Sequence, residues 1–102
     1  MSNSHERIEK ILNDNKIVLF MKGTQNFPMC GFSSRACAIL QDLGVQFHDV
    51  NVLEDEEIRQ GIKEYGNWPT IPQLYINKQL VGGSDIMMEM YQNGELQEML
   101  KT

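Results

Sequence analysis

The apolar positions fall into short blocks whose period changes along the chain. Over residues 4 to 14, Ile8, Ile11 and Leu12 recur at three- and four-residue steps, which predicts a helix with Asn3 or Ser4 as N-cap and Asn13, Asp14 and Asn15 as its end. Ile17 to Met21 is continuously apolar and rich in strand formers, the pattern of an inner strand covered on both faces. From residue 32 to 43 the period is helical again, through Phe32, Ala36, Ile39, Leu40 and Leu43, with Gly44 at a C′ position. Residues 46 to 52 read as a strand. Asp55 caps a third helix with Ile58, Ile62 and Tyr65 on its inner face and Arg59 and Lys63 on another, and Gly66 ends it. Two short strands, residues 73 to 77 and 79 to 81, flank an Asn77-Lys78 turn. Gly82-Gly83 leads into a last helical region from Ser84 through Ile86, Met90 and Tyr91, broken at Asn93-Gly94 before a final turn over residues 95 to 101.

The element order is helix, strand, helix, strand, helix, strand, strand, helix. Parallel strands need a crossover and hairpins are antiparallel, so this order predicts an α/β fold with a small mixed sheet covered by helices. In such sheets the crevice beyond the carboxyl end of a strand is the usual place for function.

Size and charge narrow the classes. The 102 residues, 41% hydrophobic and 23% charged, fit one compact domain over residues 1 to 102, with no repeat, linker or low-complexity segment. The polar start MSNSHERIEK has no signal-peptide pattern and residues 17 to 21 are too few to span a bilayer, so a soluble intracellular protein is expected, with no membrane partner. Two cysteines in a reducing compartment do not make a disulfide framework, and a chemical role for at least one is the better reading. A formal net charge of −5 argues against sequence-independent nucleic-acid binding.

The candidate chemistry begins with KGTQNFPMCGFSS, residues 22 to 34, where an apolar segment gives way to a helix at Cys30. A sulfur there lies near unpaired backbone N–H groups and the positive end of the helix dipole, and both favour thiolate. Burial as a small hydrophobe is a common fate of free cysteine. Gly31, which lets a partner approach, and Pro28, which stiffens the other side, oppose that fate here and mark Cys30 as reactive or ligating. Ser33 stands where a dithiol C-x-x-C motif has its second cysteine, so a mixed disulfide at Cys30 has no internal resolving thiol. Cys37 follows seven residues later, about 10 Å along a helix axis and beyond the reach of an unstrained disulfide to Cys30. It borders the apolar stripe and reads as packing, with a slow regulatory disulfide as the remaining alternative.

Two further stretches carry weaker signals. In WPTIPQ, Ile71-Pro72 precedes a strand, a place where a cis peptide can be locked; the segment is either a rigid loop with a core or lid tryptophan, or an extended edge offering N–H and C=O to a bound peptide. In GGSD, the helix start at Ser84 and Asp85 either receives an anion or is simply capped by one of these side chains. Met87, Met88 and Met90 have core spacing. His5 and His48 are isolated, the acidic run at residues 54 to 57 lacks calcium-loop spacing, and the cysteines and histidines lack zinc spacing.

Lys22, CGFS at 30 to 33, WPTIPQ at 68 to 73 and GGSD at 82 to 85, in this order and spacing, resemble the monothiol CGFS-type glutaredoxins, most closely the bacterial single-domain form and its mitochondrial relative. The resemblance covers nearly the whole chain. It implies the thioredoxin fold, with a four-stranded mixed sheet, helices on both faces and a cis Pro72, and glutathione as ligand. In that family the cysteine of glutathione meets the CGFS segment, here Cys30 with Gly31 and Phe32, and its backbone pairs with Ile71 beside Pro72. Lys22 and Arg59 would hold the glycine carboxylate, and Ser84 and Asp85 the γ-glutamyl end. The sequence departs from the family at Ser84, where many members have cysteine, and at Cys37, which is outside the common pattern.

The resemblance further implies binding and transfer of a [2Fe-2S] cluster. Such a cluster usually takes four thiolates, and one chain offers only Cys30 in a suitable place; a dimer with two Cys30 and two glutathione thiolates meets the count. The alternative is glutathione-dependent thiol-disulfide exchange at Cys30, at most a weak deglutathionylating activity. The loop from Thr24 to Met29, longer than in dithiol members of the family, is expected to displace glutathione from the geometry for attack. A third class, an adaptor pairing with a BolA-like protein, can coexist with the first, as can apo iron-sulfur recipients. A bacterial cytoplasm is the expected compartment, or an organelle matrix for a processed form.

Overall fold

The computed structural model describes residues 3–101. Its centre is β1 (Ile17–Met21), every residue of which is buried. β2 (His48–Asn51) runs parallel to β1, with Val18 opposite His48 and Met21 opposite Asn51. On the other side β3 (Gln73–Ile76) pairs antiparallel, Ile17 opposite Ile76 and Phe20 opposite Gln73, and β4 (Gln79–Gly82) closes the order β2-β1-β3-β4. This is the mixed four-stranded sheet of the thioredoxin fold.

Because strand side chains alternate, β1 feeds two cores. Ile17, Leu19 and Met21 pack with Ala36, Cys37, Ile39 and Leu40 of α2 (Gly31–Asp42), Met87 of α4 (Ser84–Asn93) and Leu96 of α5 (Glu95–Leu100). Val18 and Phe20 pack with Ile8 and Leu12 of α1 (Asn3–Asp14) and with Ile58 and Ile62 of α3 (Glu56–Tyr65). No helix among the described residues is long and apolar enough to cross a membrane.

The boundaries follow local chemistry. Gly44, at φ 72°, lets its own N–H reach the Gln41 carbonyl at 3.0 Å and that of Val45 reach Leu40 at 3.4 Å, the expected stop of α2. Asp55 accepts from the Ile58 N–H at 3.2 Å and caps α3 as expected. Asn77 and Lys78 both have positive φ, 51° and 70°, as the tight hairpin requires.

Gly66 ends α3 as its C-cap, as expected, with the left-handed conformation falling on Asn67, φ 51°; a side chain at Gly66 would meet the Tyr75 hydroxyl. Three expectations need correction. α1 spans Asn3–Asp14, so Asn3 and Ser4 are helical residues and not its N-cap. β2 covers only His48–Asn51 of the expected residues 46 to 52, and at its carboxyl end the Asn51 side chain accepts from the Leu53 N–H at 3.0 Å as the chain turns into a 3-10 segment, Val52–Glu54. Phe32 is no core residue: it is 54% exposed at the start of α2, and Ser33 and Cys37 fill the buried face.

Candidate active site

Three segments converge at the carboxyl end of β1: the start of α2, the loop before β3 and the start of α4. Between them lies a cleft of about 470 Å³ lined by Lys22, Cys30, Phe32, Lys63, Pro69, Thr70, Ile71, Gly83, Ser84 and Asp85.

Cys30 occupies the N-cap of α2 in extended conformation, φ −153° and ψ 140°, and is half-buried. The neutral thiol makes no capping hydrogen bond. Its pKa is held below the ordinary thiol range, first by the backbone N–H of Ser33, then by that of Phe32 and by the charge of Lys22, against the opposing effect of burial. Ser33 is fully buried, and its hydroxyl accepts from the Lys22 N–H at 3.0 Å. The residue in the resolving-cysteine position therefore ties the end of β1 to α2.

Cys37 is the opposite case. It is 1% exposed, its sulfur 3.4 Å from that of Met21, and burial, aided by Asp49, pushes its thiol up to about 11. Alkylation by iodoacetamide at neutral pH should therefore label Cys30 and spare Cys37 in the folded chain, as read by peptide mass spectrometry; comparable labelling of both would contradict this assignment. A raised pKa also means that the fold prefers the thiol. The stability from this group is complete below the unfolded thiol pKa, about 8.5, and is lost as pH rises towards about 11.

The loop between β1 and Cys30 is a miniature hairpin. The Met29 N–H donates to the Lys22 carbonyl at 2.9 Å, Gly23 pairs with Pro28, and Thr24 and Phe27 exchange backbone hydrogen bonds at 3.1 and 3.2 Å. Two side chains of β2 pin it: Asn51 accepts from the Gly23 N–H at 2.9 Å and Asp49 from the Gln25 N–H at 2.8 Å.

Opposite Cys30, the Ile71–Pro72 peptide is cis. Gln73, fully buried in β3, donates from Nε2 to the carbonyls of Trp68 at 3.0 Å and Thr70 at 3.2 Å, and its Oε1 accepts from the Tyr75 hydroxyl at 3.1 Å. Gly83 is the N-cap of α4, so Ser84 and Asp85 do not cap it by their side chains. A Cβ on Gly83 would sit 3.2 Å from the Pro72 carbonyl, which is how closely the GGSD turn approaches the cis loop. The Ser84 hydroxyl is buried without a hydrogen-bond partner among the described residues, and the Asp85 carboxylate, largely exposed, faces Arg35 at 3.4 Å.

Of the residues singled out in the sequence, Lys22, Cys30, Phe32, Ile71, Ser84 and Asp85 share this cleft. Gly31 opens α2 beside it, and Pro72, next in sequence to Ile71, is buried. Arg59 is not among the lining residues; its guanidinium lies 3.4 Å from Glu56, and the lining cation of α3 is Lys63, one turn further on. Lys63, Pro69, Thr70 and Gly83 were not anticipated as lining residues. Helical spacing shows that Arg59 and Lys63 share a face, but only the direction of α3 against the loop tells which end reaches the cleft.

The glutaredoxin family profile matches residues 17–81. An uncharacterised monothiol glutaredoxin of Synechocystis is 61% identical over 95 residues, 93% of this chain and 89% of the relative. A probable monothiol glutaredoxin 2 of Rickettsia typhi is 57% identical over 94 residues, 92% of this chain and 85% of its own length. Among solved structures, reduced apo GrxS14 of poplar superposes with TM-score 0.85 at 50% identity, covering 95% of this chain and 89% of that one. The chain belongs to the glutaredoxin family, and with serine in the second motif position it is of the monothiol, CGFS type.

Proposed function

We propose that residues 1 to 102 work as one glutaredoxin domain that binds glutathione in the Cys30 cleft and, as two copies, carries a [2Fe-2S] cluster for delivery to apo proteins. The observation that carries this reading is the donor set: one thiol with a depressed pKa at the cleft, a second sunk in the core, and a serine locked between strand and helix where a resolving thiol would stand. Among the described residues, no group of three or more His, Cys, Asp and Glu side chains could hold a metal ion. A cluster liganded by thiolates therefore needs donors from outside the chain, and two Cys30 with two glutathiones supply four. Soft thiolate is the ligand type such iron prefers. Half the ligands are then small and exchangeable, which suits cargo more than a resident group.

The cleft chemistry fits glutathione at each end. Lys22 and Lys63 are placed for the glycine carboxylate, with Arg59 able to join because its pair with Glu56 is solvent-exposed and weak. The backbone of Ile71 is available for strand-like pairing. The N–H groups of α4 and the unpartnered Ser84 hydroxyl suit the γ-glutamyl carboxylate, and Asp85 its ammonium. Lys63→Gln should raise the glutathione Kd roughly three- to tenfold, more than Arg59→Gln does, as measured by calorimetry. The reverse order would place Arg59 as the principal anchor.

Anaerobic reconstitution with iron, sulfide and glutathione tests the main reading: a coloured dimer is expected, and colour that persists without glutathione or in Cys30→Ser would sink this ligand set. Thiol-disulfide exchange is the second reading, favoured by the depressed Cys30 pKa alone; rapid turnover of a glutathionylated substrate without cluster binding would put it first. Mixing the holo form with a BolA-like protein tests that partner by heterodimer formation. We place the work in a reducing compartment, a bacterial cytoplasm or an organelle matrix.

A further inference from the structure

Phe27, Met29 and Phe32 are 76%, 69% and 54% exposed, three of the four large apolar side chains so exposed among the described residues, and all lie within three positions of Cys30. Their exposure is built in. The hydrogen bonds of Thr24 with Phe27, of Met29 with Lys22 and of Gln25 with Asp49 hold the loop so that Phe27 stands outward at its tip. Apolar groups rigidly presented around a reactive thiol call for a surface that covers them when the thiol is engaged.

We propose that Phe27 and Met29, with Phe32 at the cleft edge, form the contact surface for a second copy of this chain carrying its own glutathione. The inference rests on the cluster-bridged pair proposed above, and identifies which side chains hold that pair together. Two Cys30 sharing one cargo must face each other about a two-fold axis, and the residues next to each Cys30 then meet the same residues of the other copy. Charge favours the loaded face. Lys22 and Lys63 of two bare clefts repel, whereas glutathione, with two carboxylates and one ammonium, brings a net charge of −1 to each. Area sets how much these side chains can hold by themselves. The three side chains offer roughly 400 Å² per copy, about half the 800 Å² per partner of a stable interface, so the bridging ligands must supply the rest.

The test compares wild type with a Phe27→Ser/Met29→Ser variant, both reconstituted anaerobically with iron, sulfide and glutathione and followed by sedimentation and by visible absorbance on dilution. The apo forms of both should sediment as monomers and bind glutathione equally within about twofold, which also establishes that the variant is folded. The holo variant should dissociate and bleach at concentrations at least tenfold higher than wild type. Identical dilution profiles for two coloured dimers would overturn the contact surface while leaving the ligand set standing. A wild type that forms no coloured dimer would overturn both.

Discussion

Cys30→Ser should abolish cluster binding and all glutathione-dependent chemistry while leaving the fold intact or slightly more stable. The thiol is the donor that no neighbour can replace, since Cys37 is buried in the core and Ser33 is committed to the Lys22 N–H. As an N-cap, however, cysteine is poor: the neutral thiol makes no capping hydrogen bond. Serine at this position ranks among the best caps and should add about 0.5–1 kcal/mol, a rise of a few degrees in Tm for a chain of this size. Loss of colour and of thiol reactivity together with an unchanged or raised Tm is the expected pair of results. A Tm drop of several degrees would mean that the sulfur does structural work beyond the cap.

Gly23→Ala should cost about 2–4 kcal/mol and disable glutathione binding although the residue lies outside the cleft. Gly23 has φ 95°, which alone disfavours any side chain, and its Cβ would fall 2.5 Å from the Phe27 carbonyl oxygen and 2.6 Å from the Met29 nitrogen. Both are backbone atoms tied by hydrogen bonds, so the loop can relieve the clash only by opening. Opening breaks the Met29 to Lys22 bond and releases Cys30 and Lys22 from their relative positions. Urea titration and glutathione calorimetry on the variant measure the two effects. A loss below about 1 kcal/mol would show the hairpin to be softer than its hydrogen bonds imply.

The fold was legible from sequence wherever periodicity and terminators agreed. β1 showed as an unbroken apolar run, α2 as a helical period ending in Gly44, and the hairpin as two strand-like runs around Asn77-Lys78. Misreadings came where side chain to backbone bonds overrode pattern. Asn51 ends β2 one residue before the expected Val52, by accepting from the Leu53 N–H. The site divided the same way. Cys30 and the GGSD turn were readable because their chemistry is local, whereas the choice between Arg59 and Lys63 depends on the axis of α3 and is not written in either residue. Gln73 stood in the WPTIPQ stretch without a role of its own, since a buried glutamine in a strand is recognisable only by what its amide reaches.

That glutamine divides the cleft into two mechanical classes. Both its amide hydrogens are used on Trp68 and Thr70, so lifting the loop would strand a buried donor pair, and the wall that meets the peptide backbone of a ligand is set before the ligand arrives. The opposite rim consists of Lys22, Lys63 and the exposed Asp85, long or solvated side chains free to adjust. The chain thus measures the backbone of its guest with a fixed gauge and its charged ends with a compliant one. Peptide thiols differing at their termini should be discriminated weakly, and those with an altered central backbone strongly.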